Sequence, residues 1–223
     1  MITRKIVFCA LFVLIACGGM NTLTAAELRT GLLAGYQGGP GAQLSTAMSD
    51  FAEGFPLAVR VGIGYSVREA GRAADARRIF INDATNGTPE EHGSFFDYRF
   101  DLMYPFGWRA AKELYLISGV RYSQSTSNFK FIGGNEDFDI TSSQWGFGLG
   151  MEAAFPMSQK FDFIVSGGID YYLSSTLSGH DTSYSPDGED VNPRRDYTFD
   201  DASNAVNQPD FEPRFMIGVG YKF

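Results

Sequence analysis

The sequence predicts an all-β chain that closes as an eight-stranded antiparallel transmembrane β-barrel with short periplasmic turns and long extracellular loops. Three observations carry this expectation. Apolar and polar residues alternate with a period of two in segment after segment, so that each strand has one apolar face. Glycine crowds the non-apolar stripe. The chain ends Phe215-Met-Ile-Gly-Val-Gly-Tyr-Lys-Phe223, with Phe215, Ile217, Val219, Tyr221 and Phe223 on one face of a strand that stops at the last aromatic ring.

The first element is not a strand. Arg4 and Lys5 precede the apolar run Ile6 to Ala16, and Thr24-Ala25-Ala26 offers a small-residue exit, which reads as an export signal over residues 1–26. The run is too short to span a membrane, which takes about 20 apolar residues as a helix. Leu14-Ile-Ala-Cys17 supplies a competing reading, a lipoprotein box in which Cys17 carries lipid. The only cysteines are Cys9 and Cys17, so a chain cut after Ala26 has neither a disulfide nor a thiolate metal site. Residues 27–223 then form one domain. Losing Arg4 and Lys5 moves the formal charge from −8 to −10, a balance that argues against a nucleic-acid partner. No motif implies a cofactor.

The strands follow in order. Leu28–Gln37 alternates fairly. Ala42–Phe51 is weak and also fits a short helix, because Leu44, Ala47, Met48 and Phe51 share a helical face. Leu57–Arg68 sets Leu57, Val59, Val61, Ile63, Tyr65 and Val67 against Ala58, Arg60, Gly62, Gly64, Ser66 and Arg68. Phe96–Phe106 is as regular, and Leu114–Ser123 is interrupted at Ile117 and Ser118. Gln144–Phe155, Phe161–Ser174 and Phe215–Phe223 complete eight. Short connections at 52–55, 107–113 and 157–160 separate longer ones at 69–93 and 179–209, which are rich in Gly, Asp, Asn, Ser and Pro. A soluble lipocalin-like barrel competes for the same pattern. Against it, Gly146, Gly148, Gly150, Gly218 and Gly220 lie on the non-apolar stripe, where a narrow interior needs room. Tyr104, Phe106, Trp108, Phe155, Phe161, Tyr221 and Phe223 gather at one end of the strands, as an interfacial girdle requires.

On its signal segment, its eight alternating strands and its terminal Tyr221-Lys222-Phe223, the chain resembles the small Gram-negative outer-membrane barrels of the opacity-type and porin-like surface-antigen families. The resemblance is architectural and spans the whole of 27–223. It implies a bacterial outer membrane, with membrane lipid and lipopolysaccharide as surroundings. It also implies a barrel-assembly machinery that recognises Phe215, Tyr221 and Phe223. Loss of Phe223 is then expected to impair insertion while sparing secretion. The role implied is structural or surface-contacting, through the loops and an unidentified ligand. A small porin is the alternative, and a lipid A-modifying enzyme stands further off.

Four sets of side chains are candidates for chemistry. The expected lumen carries Arg60, Arg68, Arg99, Arg121, Arg214 and Lys222 against Asp97, Asp101, Glu152, Asp162, Asp170 and Glu212, either an ion path or a salt-bridge network that fills the interior. Arg72, Arg77, Arg78, Arg194 and Arg195 in the long loops are candidates for lipopolysaccharide phosphates. Asp187-Gly-Glu-Asp190 and Asp200-Asp201 offer hard oxygen ligands, though without EF-hand spacing. His92 and His180 are the only histidines, both expected in loops, with no strand to fix them for general-base work. Asn86-Gly-Thr88 has the form of a glycosylation acceptor and is given no weight in a bacterial chain.

Overall fold

The computed structural model describes residues 26–52, 54–107, 111 and 113–223. The expected export signal up to Ala25, with Cys17 in it, and Trp108 of the expected girdle lie outside the described residues. Eight long strands circle the barrel: β1 (Glu27–Gln37), β2 (Pro40–Ser49), β3 (Ala58–Arg68), β4 (Thr88–Phe106), β5 (Glu113–Ile132), β6 (Asp137–Pro156), β7 (Phe161–Tyr172) and β10 (Phe211–Lys222). Every neighbour pair is antiparallel, and the β5–β6 pairing closes the circle. No helix among the described residues is long and apolar enough to cross a membrane.

Between β7 and β10 lie the two-residue strands β8 (Leu177–Ser178) and β9 (Ser183–Tyr184), and β8 adds to the upper edge of β6. Two short helices, α1 (Ala73–Phe80) and α2 (Phe199–Val206), sit within the two long connections. Both connections are therefore structured. Thr198 caps α2: its hydroxyl accepts from the Asp201 amide at 3.3 Å, and Asp201 accepts in return from the Thr198 amide at 2.8 Å. On α1, Ala73, Ala76, Ile79 and Phe80 fall on one face and are buried.

Two strand expectations change. Residues 42–51, open between strand and short helix, form most of β2, which is paired with β1 from Glu27↔Ser49 to Tyr36↔Pro40. A helix there would leave the edges of β1 and β3 unpaired inside a closed barrel. The β1–β2 connection is also a tight turn, Gly38-Gly39, with Gly38 at φ 64. A Cβ at Gly38 would strike Arg68 and Glu212, so the glycine serves both conformation and space. The second change is one of length. β4, β5 and β6 run 19, 20 and 20 residues, well beyond the expected bounds, and β4–β5 and β5–β6 pairing continues without a break to Thr88↔Ile132 and Lys130↔Asp137.

The extension differs from the shaft in polarity. Along β6, Trp145, Phe147, Leu149 and Met151 face outward and are exposed, whereas Asp137, Asp139, Thr141 and Ser143 occupy the same outward face higher up. The inward stripe reverses as well, from Glu152 and the glycines to the buried Ile140 and Phe138. β5 repeats the switch, with Leu116, Val120 and Tyr122 outside below and Gln124, Thr126, Asn128 and Lys130 outside above. The inward Phe129, Phe131, Phe138 and Ile140 join Ala76, Ile79, Phe80, Leu177, Tyr184, Ala202, Ala205 and Val206 in one apolar core. A shaft suited to an apolar solvent carries a cap suited to water.

Candidate functional site: charged shaft and folded cap

Below the cap, the inward stripes of eight strands bring the charges together as a ladder. At the mouth formed by the N- and C-terminal ends, Lys222 reaches Asp162 at 2.7 Å and Glu113 at 3.0 Å, and Arg29 donates to Glu113 at 3.0 Å and Glu152 at 2.7 Å. Arg60 then joins Glu152 to Asp101, the latter at 2.7 Å. Arg121 links Asp101 at 2.6 Å to Asp170 at 2.8 Å. Asp170 also accepts from Arg99 at 2.8 Å and lies 3.5 Å from Arg214, while Arg99 pairs with Asp97. Tyr172 donates to Asp97 at 2.9 Å, and Arg68 pairs with Glu212 near the top. Seven cations (Arg29, Arg60, Arg68, Arg99, Arg121, Arg214, Lys222) meet seven acids (Asp97, Asp101, Glu113, Glu152, Asp162, Asp170, Glu212).

Every lumen residue singled out from the sequence takes part in this ladder. The structure adds Arg29 and Glu113. Arg29 shares parity with Gly31, Leu33 and Gly35 on β1, which marks it as inward; Glu113 falls within the expected 107–113 turn and carries no such signal. Glycines make room at the crowded rungs, since a Cβ at Gly148 would strike the Arg121 guanidinium and the Asp170 carboxylate. Cavities remain at the two ends, about 20 Å³ beside Arg29, Tyr115 and Lys222, and about 10 Å³ under Asn207 and Gln208. Each has space for roughly one water molecule.

A neutral polar layer separates the ladder from the cap. Gln144 donates to Pro209 O at 2.8 Å and Leu173 O at 3.1 Å, and Gln208 donates to Ser142 Oγ and Ser175 O, both at 2.8 Å. These bonds tie the 207–210 strap across the barrel mouth.

The loop arginines do not act as a set. Arg77 is buried against the cap core. It donates to Asn86 O at 2.7 Å and Asn86 Oδ1 at 2.9 Å, pairs with Glu136 at 2.5 Å, and stacks over Phe131 at 4.4 Å. It is thereby removed from any lipid phosphate, and Asn86 is engaged as its acceptor. Arg194 donates to Arg78 O at 2.7 Å and pairs with Asp83. Arg72 and Arg78 flank Asp75 at 3.3 and 3.8 Å while remaining largely exposed, and Arg195 is exposed. Hydrogen bonds from Arg77 and Asn82 hold the Glu136 carboxyl down at about 2. Burial pushes the Tyr184 phenol up; its oxygen accepts from the Arg194 amide at 3.0 Å and donates to Ile79 O at 3.3 Å.

The acidic loop pieces have structural work. Asp187 accepts from Ser185 Oγ at 2.6 Å and Asp190 from the Ser185 amide at 2.7 Å, while Asp201 caps α2. His92, expected in a loop, lies on the outward face of β4. His180 stands 3.4 Å from Asp181, both side chains three-quarters exposed. Of the terminal aromatics, Tyr221 lies at the lower rim, edge-on against Phe161 at 5.2 Å and Phe223 at 4.9 Å, whereas Phe215 points outward near the upper end of the strand, opposite Tyr36. A second aromatic row, Tyr98, Tyr122 and Trp145, closes the apolar belt above at centroid distances of 6.2 and 5.0 Å. From Trp145 to Phe155 the strand covers about 33 Å, or about 25 Å of height at the usual strand tilt, which matches the apolar band of such barrels.

Among solved structures, a major outer membrane protein from Thermus thermophilus superposes with a TM-score of 0.72 at 25% identity, covering 90% of this chain and 100% of that one. The fold is that of an outer-membrane β-barrel. Two further small barrels align more loosely, each with a TM-score of 0.41 at 11% identity. Neisserial surface protein A covers 89% of this chain and 96% of its own. Ail, the attachment invasion locus protein of Yersinia pestis, covers 89% and 97%. The fold assignment rests on the Thermus protein. No family model matches the chain, and no curated protein matches it.

Proposed function

We propose that this chain is a non-enzymatic outer-membrane surface protein in which the shaft is a filled anchor and the cap is the contacting part. The observation that carries the reading is the partition of charge. The cap segments 69–95, 124–143 and 173–210 hold sixteen acids and six bases, a balance of −10. The rest of the chain after Ala26 holds ten of each. All net charge of residues 27–223 therefore sits on the cap, where it acts at long range on anything approaching from outside.

A pore is not favoured, because the ladder and its arginines occupy the bore that conduction needs. The test has two arms. Purified protein in planar bilayers is expected to give no reproducible conductance steps. Cells displaying the chain are expected to bind surfaces differently once the exposed Asp181, Glu189, Asp196 and Asp200 are changed to Asn or Gln. Unit conductance would overturn the anchor reading, and unchanged adhesion over surfaces of graded charge would overturn the contact reading.

A further inference from the structure

The wall formed by β4–β6 passes through the upper aromatic row without a break in pairing, so its outward side chains above and below that row stand on one continuous surface. The rows across it are in register. Tyr98↔Tyr122↔Trp145 is the aromatic row. Above it comes Phe96↔Gln124↔Ser143, and then Ser94↔Thr126↔Thr141. Only beyond these do charges appear, at Asn128↔Asp139 and Lys130↔Asp137. The two intermediate rows are neutral, and on β5 and β6 they consist of hydroxyl and amide groups. At roughly 7 Å of strand per row they form a band on the order of 13 Å along the strands. Thr141 donates to Ser178 O at 3.5 Å, and among the described residues the side chains of Gln124, Thr126 and Ser143 have no hydrogen-bond partner in the protein.

We infer that this band is a contact wall for the sugar headgroups of outer-leaflet glycolipids. The occupant follows from continuity. A lipid whose chains lie on Phe147 and Leu149 has its headgroup beside Ser143, Thr141, Gln124 and Thr126, because these residues follow on the same outward stripes with pairing unbroken between them. The chemistry agrees, since neutral hydroxyls and amides exchange hydrogen bonds with saccharide hydroxyls and offer no cation to phosphate. Contact with glycolipid sugar thus belongs to a strand face and needs none of the loop arginines. The inference rests on the outer-membrane placement and is independent of what the acidic cap touches.

Residues 27–223 contain no cysteine, so single reporters at Thr126→Cys and Ser143→Cys, with Glu189→Cys on the cap as reference, read local coverage by maleimide labelling. In nanodiscs of core-bearing lipopolysaccharide, labelling at 126 and 143 is expected to slow about tenfold relative to phospholipid nanodiscs, equivalent to about 1.4 kcal/mol of protection. Labelling at 189 should change less than twofold, and chelation of divalent cations should leave the protection in place. Equal slowing at all three sites means general crowding and overturns the wall, as does no slowing at 126 and 143. Loss of protection on chelation overturns the sugar assignment in favour of phosphate bridged by cations. As a second variant, Thr126→Val with Thr141→Val keeps strand shape. It is expected to lose at least half of the thermal stabilisation that lipopolysaccharide confers, while unfolding like the parent in phospholipid; retention of the full stabilisation contradicts the wall. Adhesion through the cap acids is read separately, so failure of that role leaves this result intact.

Discussion

The lower and upper halves of β5 and β6 belong to the same two strands and obey opposite rules. Below Tyr122 and Trp145, the apolar Leu116, Val120, Phe147, Leu149 and Met151 point out, and Arg121, Glu113 and Glu152 point in among glycines and Ile117. Above them, Thr141, Asp139 and Asn128 point out, and Phe129, Phe138 and Ile140 point in. Backbone pairing is the same in both halves, so the difference lies entirely in which solvent meets the outer face. Stability is correspondingly of two kinds. In the shaft, the closed hydrogen-bond ladder and paired charges hold an interior whose apolar part is two small clusters, Ala47, Ala58, Met103 and Ile117 in one and Leu33, Ile164 and Met216 in the other. In the cap, an ordinary hydrophobic core does the work.

The sharpest break should come from the shaft. Asp170 neutralises parts of three arginines, and Asp170→Ala leaves Arg99, Arg121 and Arg214 buried with too few anions. Loss of one partner in such a set costs about 3–5 kcal/mol, so urea titration in lipid vesicles should show a large drop or a failure to fold. The outer face should follow next. Leu149→Lys puts a cation near the middle of the apolar belt, at a cost of about 2–4 kcal/mol, whereas Thr141→Lys on the same stripe above the belt should stay within about 0.5 kcal/mol. Equal effects at the two sites would erase the boundary between the halves.

In the cap, Arg77→Met removes the pairing with Glu136, the bonds to Asn86 and the stacking on Phe131. A loss of about 2–3 kcal/mol is expected. It should be confined to hydrogen exchange and proteolysis of 69–87 and 133–136, with the heat-modifiable gel shift of the barrel unchanged. The smallest effect is acid loosening of the same contact. Because Arg77 and Asn82 hold the Glu136 carboxyl down at about 2, its contribution is present in full above the ordinary carboxylate range near 4.5 and is lost as pH falls through about 2. Glu136→Gln should abolish that portion of the pH dependence, as read by hydrogen exchange in the 133–136 turn.

Legibility in the sequence divides along the same boundary. The shaft strands show themselves because Trp145, Phe147, Leu149 and Met151 form an unmistakable outer stripe with glycines opposite. The upper strands also alternate, but Phe129 and Phe131 against Asn128 and Lys130 is the same code with its faces exchanged. A search for an outward apolar stripe therefore stops at Ser123 and resumes at Gln144. β2 is ambiguous because its inward residues, Gly41, Gln43, Ser45 and Ala47, are small or uncharged and the contrast between faces is low. Arg77 reads as loop charge unless α1 is recognised by Ala73, Ala76, Ile79 and Phe80, whose spacing marks a buried helical face. Thr198 and Asp201 likewise spell a capping pair that announces α2. Which acid meets which arginine is not readable, since rungs such as Arg121 to Asp170 join strands far apart in sequence and depend on barrel register.

The inversion of polarity along one strand is the claim on which the anchor, the cap and the contact wall all depend. Spin labels placed singly at 139, 141, 143, 145, 147, 149, 151 and 153 on the outward face of β6, in lipid bilayers, test it most directly through collision with oxygen and with a water-soluble nickel complex. Oxygen should dominate at 147, 149 and 151, the nickel complex should dominate at 139, 141 and 143, and the crossover should fall at Trp145. A profile that remains lipid-like up to 139, or water-accessible down through 149, would contradict the account.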